Sequence, residues 1–181
     1  MSPPGDNVRI QRGEPNDEIC NMFLLKMKDY ALSMPEGKTP KGPAIGSDDS
    51  ARPIELPQGS VFLYAAIGPE DAPIAAGSVA LVPLHSTFPH FKGLPNGLET
   101  VGEVKCMIVL EEHQQKGIAL KLMRAIEEIA KDELGWKYIA VETWWSMKAA
   151  QVLYEKAGYR RKGPWGAYVS ADSCCYEKWL Q

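Results

Sequence analysis

The stretch Gln114-Gln115-Lys116-Gly117-Ile118-Ala119 joins an apolar run that ends at Leu110 to an amphipathic segment that continues to Leu134. This order predicts a strand, a tight turn and the start of a helix. The first N–H groups of a helix have no partners within it and carry its positive dipole end, so such a junction can hold a phosphate-bearing ligand. Gly117 lets the backbone approach that ligand closely. A simple helix cap is the alternative, but a cap requires no glycine at this point and no small residue two positions later.

Length and composition set the limits on the other elements. With 181 residues, of which 45% are hydrophobic, we expect residues 1–181 to form one globular domain. A net charge of −3 argues against nucleic acid as the main partner. The N-terminus has no signal-peptide pattern and no apolar run is long enough to cross a membrane, so we expect a cytoplasmic protein without a membrane partner. The four cysteines lack metal-ligand spacing and are interpreted as reduced thiols, with no metal site.

Apolar periodicity and turn residues predict an order of strand, helix, three strands, helix, strand, helix and two strands. Two long loops, residues 35–57 and 85–98, interrupt this series. The strand, helix and strand between Val101 and Thr143 require a right-handed crossover, and therefore one parallel pair in an otherwise antiparallel sheet. The fold class predicted from this order is an α/β or α+β sandwich. The predicted strands are 8–12, 60–67, 74–84, 101–110, 137–143, 159–161 and 173–179, and the predicted helices end near Met34, Leu134 and Ala157.

Two motifs carry a resemblance to a known family. The pattern Gln-x-x-Gly-x-Ala at residues 114–119 follows the strand that contains Glu103, and Leu153-Tyr154-Glu155-Lys156-Ala157-Gly158-Tyr159 follows later. Together they resemble the GNAT superfamily of acyl-CoA-dependent N-acyltransferases. The segments 163–168 and 173–178 look like the branch that acts on small molecules. The resemblance implies a mixed, mostly antiparallel sheet with a splayed parallel strand pair and helices on both faces.

The resemblance also implies acetyl-CoA as co-substrate. Its pantetheine arm would bind the strand edge between the splayed strands, and one backbone amide there would polarise the acetyl carbonyl. The family often has an asparagine just before Ala150, where this chain has Ser146-Met147-Lys148, which leaves one coenzyme contact in doubt. The expected coenzyme-binding residues are Met107, Ile108, Val109, Gln114, Gln115, Lys116, Gly117, Ile118, Ala119 and Ala150.

Two residues are the candidates for proton transfer. By resemblance, Tyr154 would protonate the departing thiolate, a role that suits a phenol. Glu103 would be the general base for the incoming amine, although a structural ion pair with Lys105 is a nearly equal interpretation. Water, His85 or His90 could replace Glu103 as the base.

The expected reaction is transfer of an acetyl group to a primary amine of a small molecule, of the amino acid or polyamine type, by direct attack in a ternary complex. Trp165 and Tyr168, together with the two long loops, would line the acceptor pocket. Two alternatives stay open: acetylation of a protein lysine or N-terminus, and a non-catalytic module that binds acyl-CoA. A homodimer formed through a sheet edge is compatible with the family, but no residue here specifies one.

Overall fold

The computed structural model describes residues 7–34, 55–85, 93–165 and 172–181. Within these ranges the chain forms ten regular helices and strands, in the order that the sequence predicts. Their bounds are β1 Arg9–Gly13, α1 Glu18–Ser33, β2 Val61–Ile67, β3 Ile74–His85, β4 Thr100–Val109, α2 Ile118–Glu128, β5 Tyr138–Trp144, α3 Lys148–Lys156, β6 Arg160–Lys162 and β7 Ser173–Trp179.

The strands form a seven-stranded sheet in the order β1-β2-β3-β4-β5-β7-β6. Five of the neighbouring pairs are antiparallel, and β4 and β5 are parallel. The predicted fold class, a mixed and mostly antiparallel sheet with one parallel pair, is therefore confirmed. No helix in the described ranges is both long enough and apolar enough to span a membrane.

Local signals explain where the helices begin and end. The Asp17 carboxylate accepts a hydrogen bond from Cys20 N at 2.7 Å and caps the start of α1. Gly158, with φ of +85°, ends α3. The prediction of one helix to Leu134 is only partly right, because α2 ends at Glu128 and a π-helical turn, Ile129–Glu133, follows. In that turn Leu134 N donates to Ile129 O, a wider ring than the α-helical one.

Each face of the sheet packs against different helices, because successive strand side chains point to opposite faces. One face, here called the α2–α3 face, carries Val104, Ile139 and Val141 against Ile118 and other buried residues of α2 and α3. The other, here called the α1 face, packs Phe62 and Ala80 against α1, and Tyr138, Ala140 and Cys175 against the segment that contains Trp165. The adjacent thiols of Cys174 and Cys175 lie on opposite faces.

The parallel pair separates after a short ladder. Pairing of β4 with β5 is confined to Gly102 with Ile139, Glu103 with Ala140, and Val104 with Val141. Both strands then continue, β4 as far as Val109 and β5 as far as Trp144, with no further pairs between them. We call this divergence, between residues 105–109 of β4 and 142–144 of β5, the fork.

A bulge in β4 lies at the start of the fork. Cys106 has φ of +53°, an uncommon conformation for a residue with a side chain, and the register with β3 shifts between Ser78 and Ala80. A bulge bends its strand and increases the local twist. It therefore provides a local reason for β4 to turn away from β5 immediately after Val104.

The contact between β3 and β4 at Gly77 yields a testable prediction. A Cβ at Gly77 would lie 2.8 Å from Ile108 O and 3.0 Å from a methyl carbon of Val109. Because the carbonyl belongs to the β4 backbone, Gly77→Ala should displace the strand and reduce the free energy of unfolding by about 1–3 kcal/mol. Urea denaturation measures this change.

Gly163→Ala is the matched control, because a Cβ at Gly163 would meet nothing within 4 Å. Its unfolding midpoint should stay within error of the wild-type value. Equal midpoints for the two variants would contradict the tight approach of β3 to β4.

Candidate active site

One edge of β4 is open toward the fork. Leu110 N donates to Ala76 O at 2.9 Å, so this residue hydrogen-bonds to the β3 side. Because alternate residues of an antiparallel strand direct their N–H and C=O groups to opposite edges, Ile108 also bonds toward β3 and Val109 faces the fork. Of the three expected backbone contacts in β4, Ile108 is therefore the one whose polar groups belong to the β3 ladder.

The bulge turns a second amide toward the fork. Ser78 Oγ donates to Cys106 O at 3.1 Å, so this carbonyl points to the β3 side. In a trans peptide the N–H points opposite to the C=O. The N–H of Met107, which shares the peptide plane with Cys106 O, consequently points away from β3. Met107 and Val109 thus present backbone groups along the open edge.

The loop after β4 leads from this edge to the start of α2. A 3-10 turn, Glu111–His113, follows the strand, and Gln114 Nε2 then donates back to Val109 O at 3.0 Å. Gln115 and Gly117 have φ of +59° and +77°, and Lys121 N donates to Gly117 O in the first turn of α2. The loop is exposed, and a Cβ at Gly117 would meet nothing within 4 Å. The first N–H groups of α2 therefore face open space beside the fork.

The side chains that follow the loop anchor α2. Ile118 is 1% exposed and packs into the core of the α2–α3 face. Ala119 is half-buried, and Gln114, Gln115 and Lys116 are exposed. The helix start is thus fixed by Ile118 while the residues before it stay accessible, an arrangement suited to an anion such as a diphosphate.

Gln151 links helix α3 to the end of β5 by hydrogen bonds. This side chain is 6% exposed, and its amide nitrogen donates to Trp144 O at 3.2 Å and to Trp145 O at 2.9 Å. Gln151 was not among the residues expected from sequence. Its spacing could have identified it, because Gln151 precedes Tyr154 by three residues and therefore lies on the same helix face as that candidate.

Tyr154 projects from α3 into the α2–α3 face. It is 4% exposed, and its ring lies 6.1 Å from that of Tyr159 and 5.8 Å from that of Tyr176. Burial, with smaller contributions from Cys174 and Cys106, raises the pKa of Tyr154 above its ordinary value. The phenol therefore stays protonated at neutral and mildly alkaline pH and has a proton to donate.

A charged cluster lies on the α1 face at the base of the fork. Lys105 Nζ lies 2.5 Å from Glu103 Oε1, and Ser173 Oγ donates to Glu142 Oε1 at 2.5 Å. Because Glu103 pairs with Ala140 in the parallel ladder, Lys105 and Glu142, each two residues further along its strand, project from the same face. We call Glu103, Lys105, Glu142 and Ser173 the carboxylate cluster.

Mutual charges hold this cluster together. Burial disfavours the charged form of Lys105, but attraction to Glu103, the hydrogen bond that Lys105 donates to Glu103 and attraction to Glu142 outweigh it and raise the pKa of Lys105. Burial raises the pKa of Glu142, opposed by the Ser173 hydrogen bond and by Lys105 and reinforced by Glu103. The ion pair between Glu103 and Lys105, weighed as an alternative from sequence, is thus present. Glu142 was not singled out from sequence, although a glutamate within an apolar strand was a usable signal.

The structure describes some of the other residues that were proposed from sequence. Trp165 is 5% exposed and packs against Tyr138 and Cys175, and Ala150 is half-buried on α3. His85 Nδ1 lies 3.2 Å from Thr100 Oγ1, at the first residue of β4. Tyr168, His90, residues 35–54 of the first long loop and residues 86–92 of the second lie outside the described residues. The predicted roles of all these residues stay predictions.

The described residues contain no group of three or more histidine, cysteine, aspartate or glutamate side chains that could hold a metal ion. The cysteines at positions 20, 106, 174 and 175 are free thiols. The chemistry that the described site offers is therefore that of a backbone edge, an anion-binding helix start, a neutral phenol and a pair of carboxylates.

Comparisons with known proteins agree with this geometry. The family model of the acetyltransferase (GNAT) domain matches residues 59–161. No curated protein sequence matches the chain. Solved structures match over nearly the whole chain, at identities that show the fold alone.

Three of these solved structures are described with their identity, TM-score and coverage. A protein assigned to the acyl-CoA N-acyltransferases, from Klebsiella pneumoniae, has 22% identity and a TM-score of 0.67 and covers 97% of this chain and 99% of its own. A GNAT family acetyltransferase from Elizabethkingia anophelis with acetyl-CoA bound has 17% identity, a TM-score of 0.57 and coverage of 97% and 99%. Spermidine N-acetyltransferase from Vibrio cholerae, in complex with CoA and spermine, has 14% identity, a TM-score of 0.61 and coverage of 96% and 95%.

The matched segment includes the fork, the loop before α2 and the whole of α3, which are the elements that form the site. The chain belongs to the GNAT acetyltransferases and is an acyl-CoA-dependent N-acetyltransferase.

Proposed function

We propose that this protein transfers an acetyl group from acetyl-CoA to a primary amine of a small, positively charged molecule of the amino acid or polyamine type. One observation carries the proposal. Tyr154 packs on the α2–α3 face in one buried cluster with Val104 and Val141, the last pair before the fork, and the carboxylate cluster lies on the opposite face at the same point of the ladder. A thioester held in the fork would thus meet a proton donor from one side and an amine from the other.

The donor half of the proposal rests on backbone groups. The N–H and C=O groups of Met107 and the N–H of Val109 face the fork, where an extended pantetheine arm can pair with them as an added strand would. The diphosphate would bind at Gly117 and the start of α2. The N–H of Met107 or Val109 would stabilise the negative charge that develops on the thioester oxygen.

The acceptor half rests on charge. The carboxylate cluster contains two carboxylates and one ammonium group, so its net charge favours a cation. An alkylamine is protonated at neutral pH and must lose a proton before its nitrogen can attack, which a nearby carboxylate can assist. After attack, the C–S bond breaks and the leaving thiolate takes the Tyr154 proton.

Packing of the α1 face supports a small acceptor. Lys162 Nζ donates to Gly93 O at 2.7 Å and to Tyr138 Oη at 3.1 Å, so the segments around residues 93 and 162 are joined across this face. Trp165 is packed beside them. This coverage of the α1 face beside Tyr138 and Ala140 supports a small acceptor, because an extended peptide would require an open groove.

An acceptor screen tests the proposed function. Wild-type protein with acetyl-CoA and L-amino acids, putrescine, spermidine or peptides bearing a free N-terminus or lysine should release CoA thiol with the small cationic amines. Mass spectrometry of the products identifies the acetylated nitrogen. Transfer to the peptides alone would make this a protein acetyltransferase, and coenzyme binding without transfer to any amine would contradict catalysis.

Gly117→Ala should weaken acetyl-CoA binding at least about tenfold, or ~1.4 kcal/mol, because the new methyl group occupies the open space at the helix start. The variant should also have a free energy of unfolding that is lower by roughly 1–2 kcal/mol, because alanine is strained in the left-handed conformation of position 117. Calorimetric titration with acetyl-CoA measures the first effect, and urea denaturation the second.

Gly135→Ala is the matched control for Gly117→Ala. Gly135 has a similar φ of +67° and equally open surroundings, but it lies after the π-helical turn at the other end of α2. This variant should lose similar stability and keep wild-type acetyl-CoA affinity. Equal affinities for the two variants would argue against diphosphate binding at Gly117.

Tyr154→Phe should lower kcat by roughly 100-fold or more with little change in acetyl-CoA affinity, because it removes only the proton donor. Tyr159→Phe is the control, since Tyr159 is also buried, lies in the same motif and has no proposed role in proton transfer. Steady-state kinetics and calorimetry measure both effects. Equal kcat values in the two variants would refute the role of Tyr154.

A further inference from the structure

The carboxylate cluster contains two candidate bases, and their surroundings differ. We propose that Glu142, rather than Glu103, binds the ammonium group of the acceptor and accepts its proton. This inference rests on the proposed function and adds to it the residue that selects a cationic acceptor.

Position along the strands favours Glu142. The last pair of the parallel ladder is Val104 with Val141, and Glu142 is the next residue of β5, at the opening of the fork. Glu103 precedes that pair and lies within the closed part of the ladder, opposite Ala140. The Glu142 carboxylate is therefore the nearer of the two to the place where β4 and β5 separate.

The partners of the two carboxylates also favour Glu142. Glu103 is 6% exposed and its Oε1 forms the ion pair with Lys105 at 2.5 Å. Glu142 is half-buried, and its Oε1 is oriented by a neutral donor, Ser173 Oγ. No hydrogen bond joins Glu142 Oε2 to another residue in the described ranges, so this oxygen is available to an ammonium group.

Charged and titratable groups surround Glu142 on both neighbouring strands. The charged groups, Lys105 and Glu103, face it from β4. The thiols of Cys174 and Cys175 and the hydroxyl of Ser173 lie on β7. Burial raises the pKa of Glu142, which brings it closer to that of an efficient base at neutral pH. Glu103 reinforces this shift, whereas Ser173 and Lys105 oppose it.

The proton balance of the step is simple. Glu142 takes one proton from the acceptor ammonium, and the neutral nitrogen forms a bond to the acetyl carbon. The C–S bond then breaks, and the CoA sulfur takes the Tyr154 proton. The nitrogen releases its second proton to solvent, and Tyr154 takes up a proton from solvent. Glu142 loses its proton to solvent before the next turnover.

The test compares three variants in the pH dependence of kcat/KM, with the amine that the wild-type protein acetylates fastest in the screen above. Glu142→Gln should lower kcat/KM by roughly 100-fold or more and abolish its acidic limb. Ser173→Ala should move that limb to higher pH, because a donor that favours the charged carboxylate is lost. Glu103→Gln should keep the limb and move it to lower pH, because the charge that raises the pKa of Glu142 is lost.

Ser173→Ala and Glu103→Gln should thus shift the acidic limb of kcat/KM in opposite directions. A merely structural role of Glu142 would not produce this result. Thermal unfolding and acetyl-CoA titration of each variant show whether the fold and the donor site are intact. If Glu103→Gln loses the limb while Glu142→Gln keeps it, Glu103 is the base and the inference is wrong. If the wild-type protein acetylates no amine, the proposed function fails and the inference with it.

Discussion

The unpaired edge of β4 is the constraint on which the site depends. Backbone N–H and C=O groups inside a protein require partners, and a central strand normally finds them on both sides. Here the β4–β5 ladder stops after Val104 and Val141, and the bulge at Cys106 turns the N–H of Met107 toward the fork. A ligand with alternating polar groups can supply what the missing strand pairs would have supplied.

The same fork separates the two halves of the proposed reaction. In that proposal the loop at Gly117 and the phenol of Tyr154, on the α2–α3 face, would serve the donor, and the carboxylate cluster, on the α1 face, would serve the acceptor. The sheet between them keeps the buried proton donor apart from the charged groups. Burial among the rings and thiols of the α2–α3 face raises the pKa of Tyr154 and keeps its phenol neutral, while the charged groups of Glu103, Lys105 and Glu142 lie on the other face.

The sequence allowed the prediction of features that depend on local chemistry. Gly117 marked the start of α2 and Gly158 the end of α3, because glycine readily adopts the positive φ that both positions have. Apolar periodicity located every strand in the described ranges to within about two residues, and the crossover rule predicted the parallel pair.

Features that depend on contacts between distant segments were not predictable in this way. No glycine in the sequence signals the bulge at Cys106, and the position of the bulge depends on Ser78 of the neighbouring strand. The role proposed for Glu142 depends on its contact with Ser173 and on the charge of Lys105, which come from β7 and β4. The π-helical turn after Glu128 likewise has no proline or glycine within it to signal the change.

Amide hydrogen exchange of single residues, followed by NMR with and without CoA, shows whether the coenzyme binds along the open edge of β4. We expect CoA to slow exchange of the Met107 and Val109 amides, which face the fork, and to leave that of Ile108 unchanged, because this amide already belongs to the β3 ladder. Saturating CoA without added protection at Met107 and Val109 would contradict coenzyme binding along the open edge of β4.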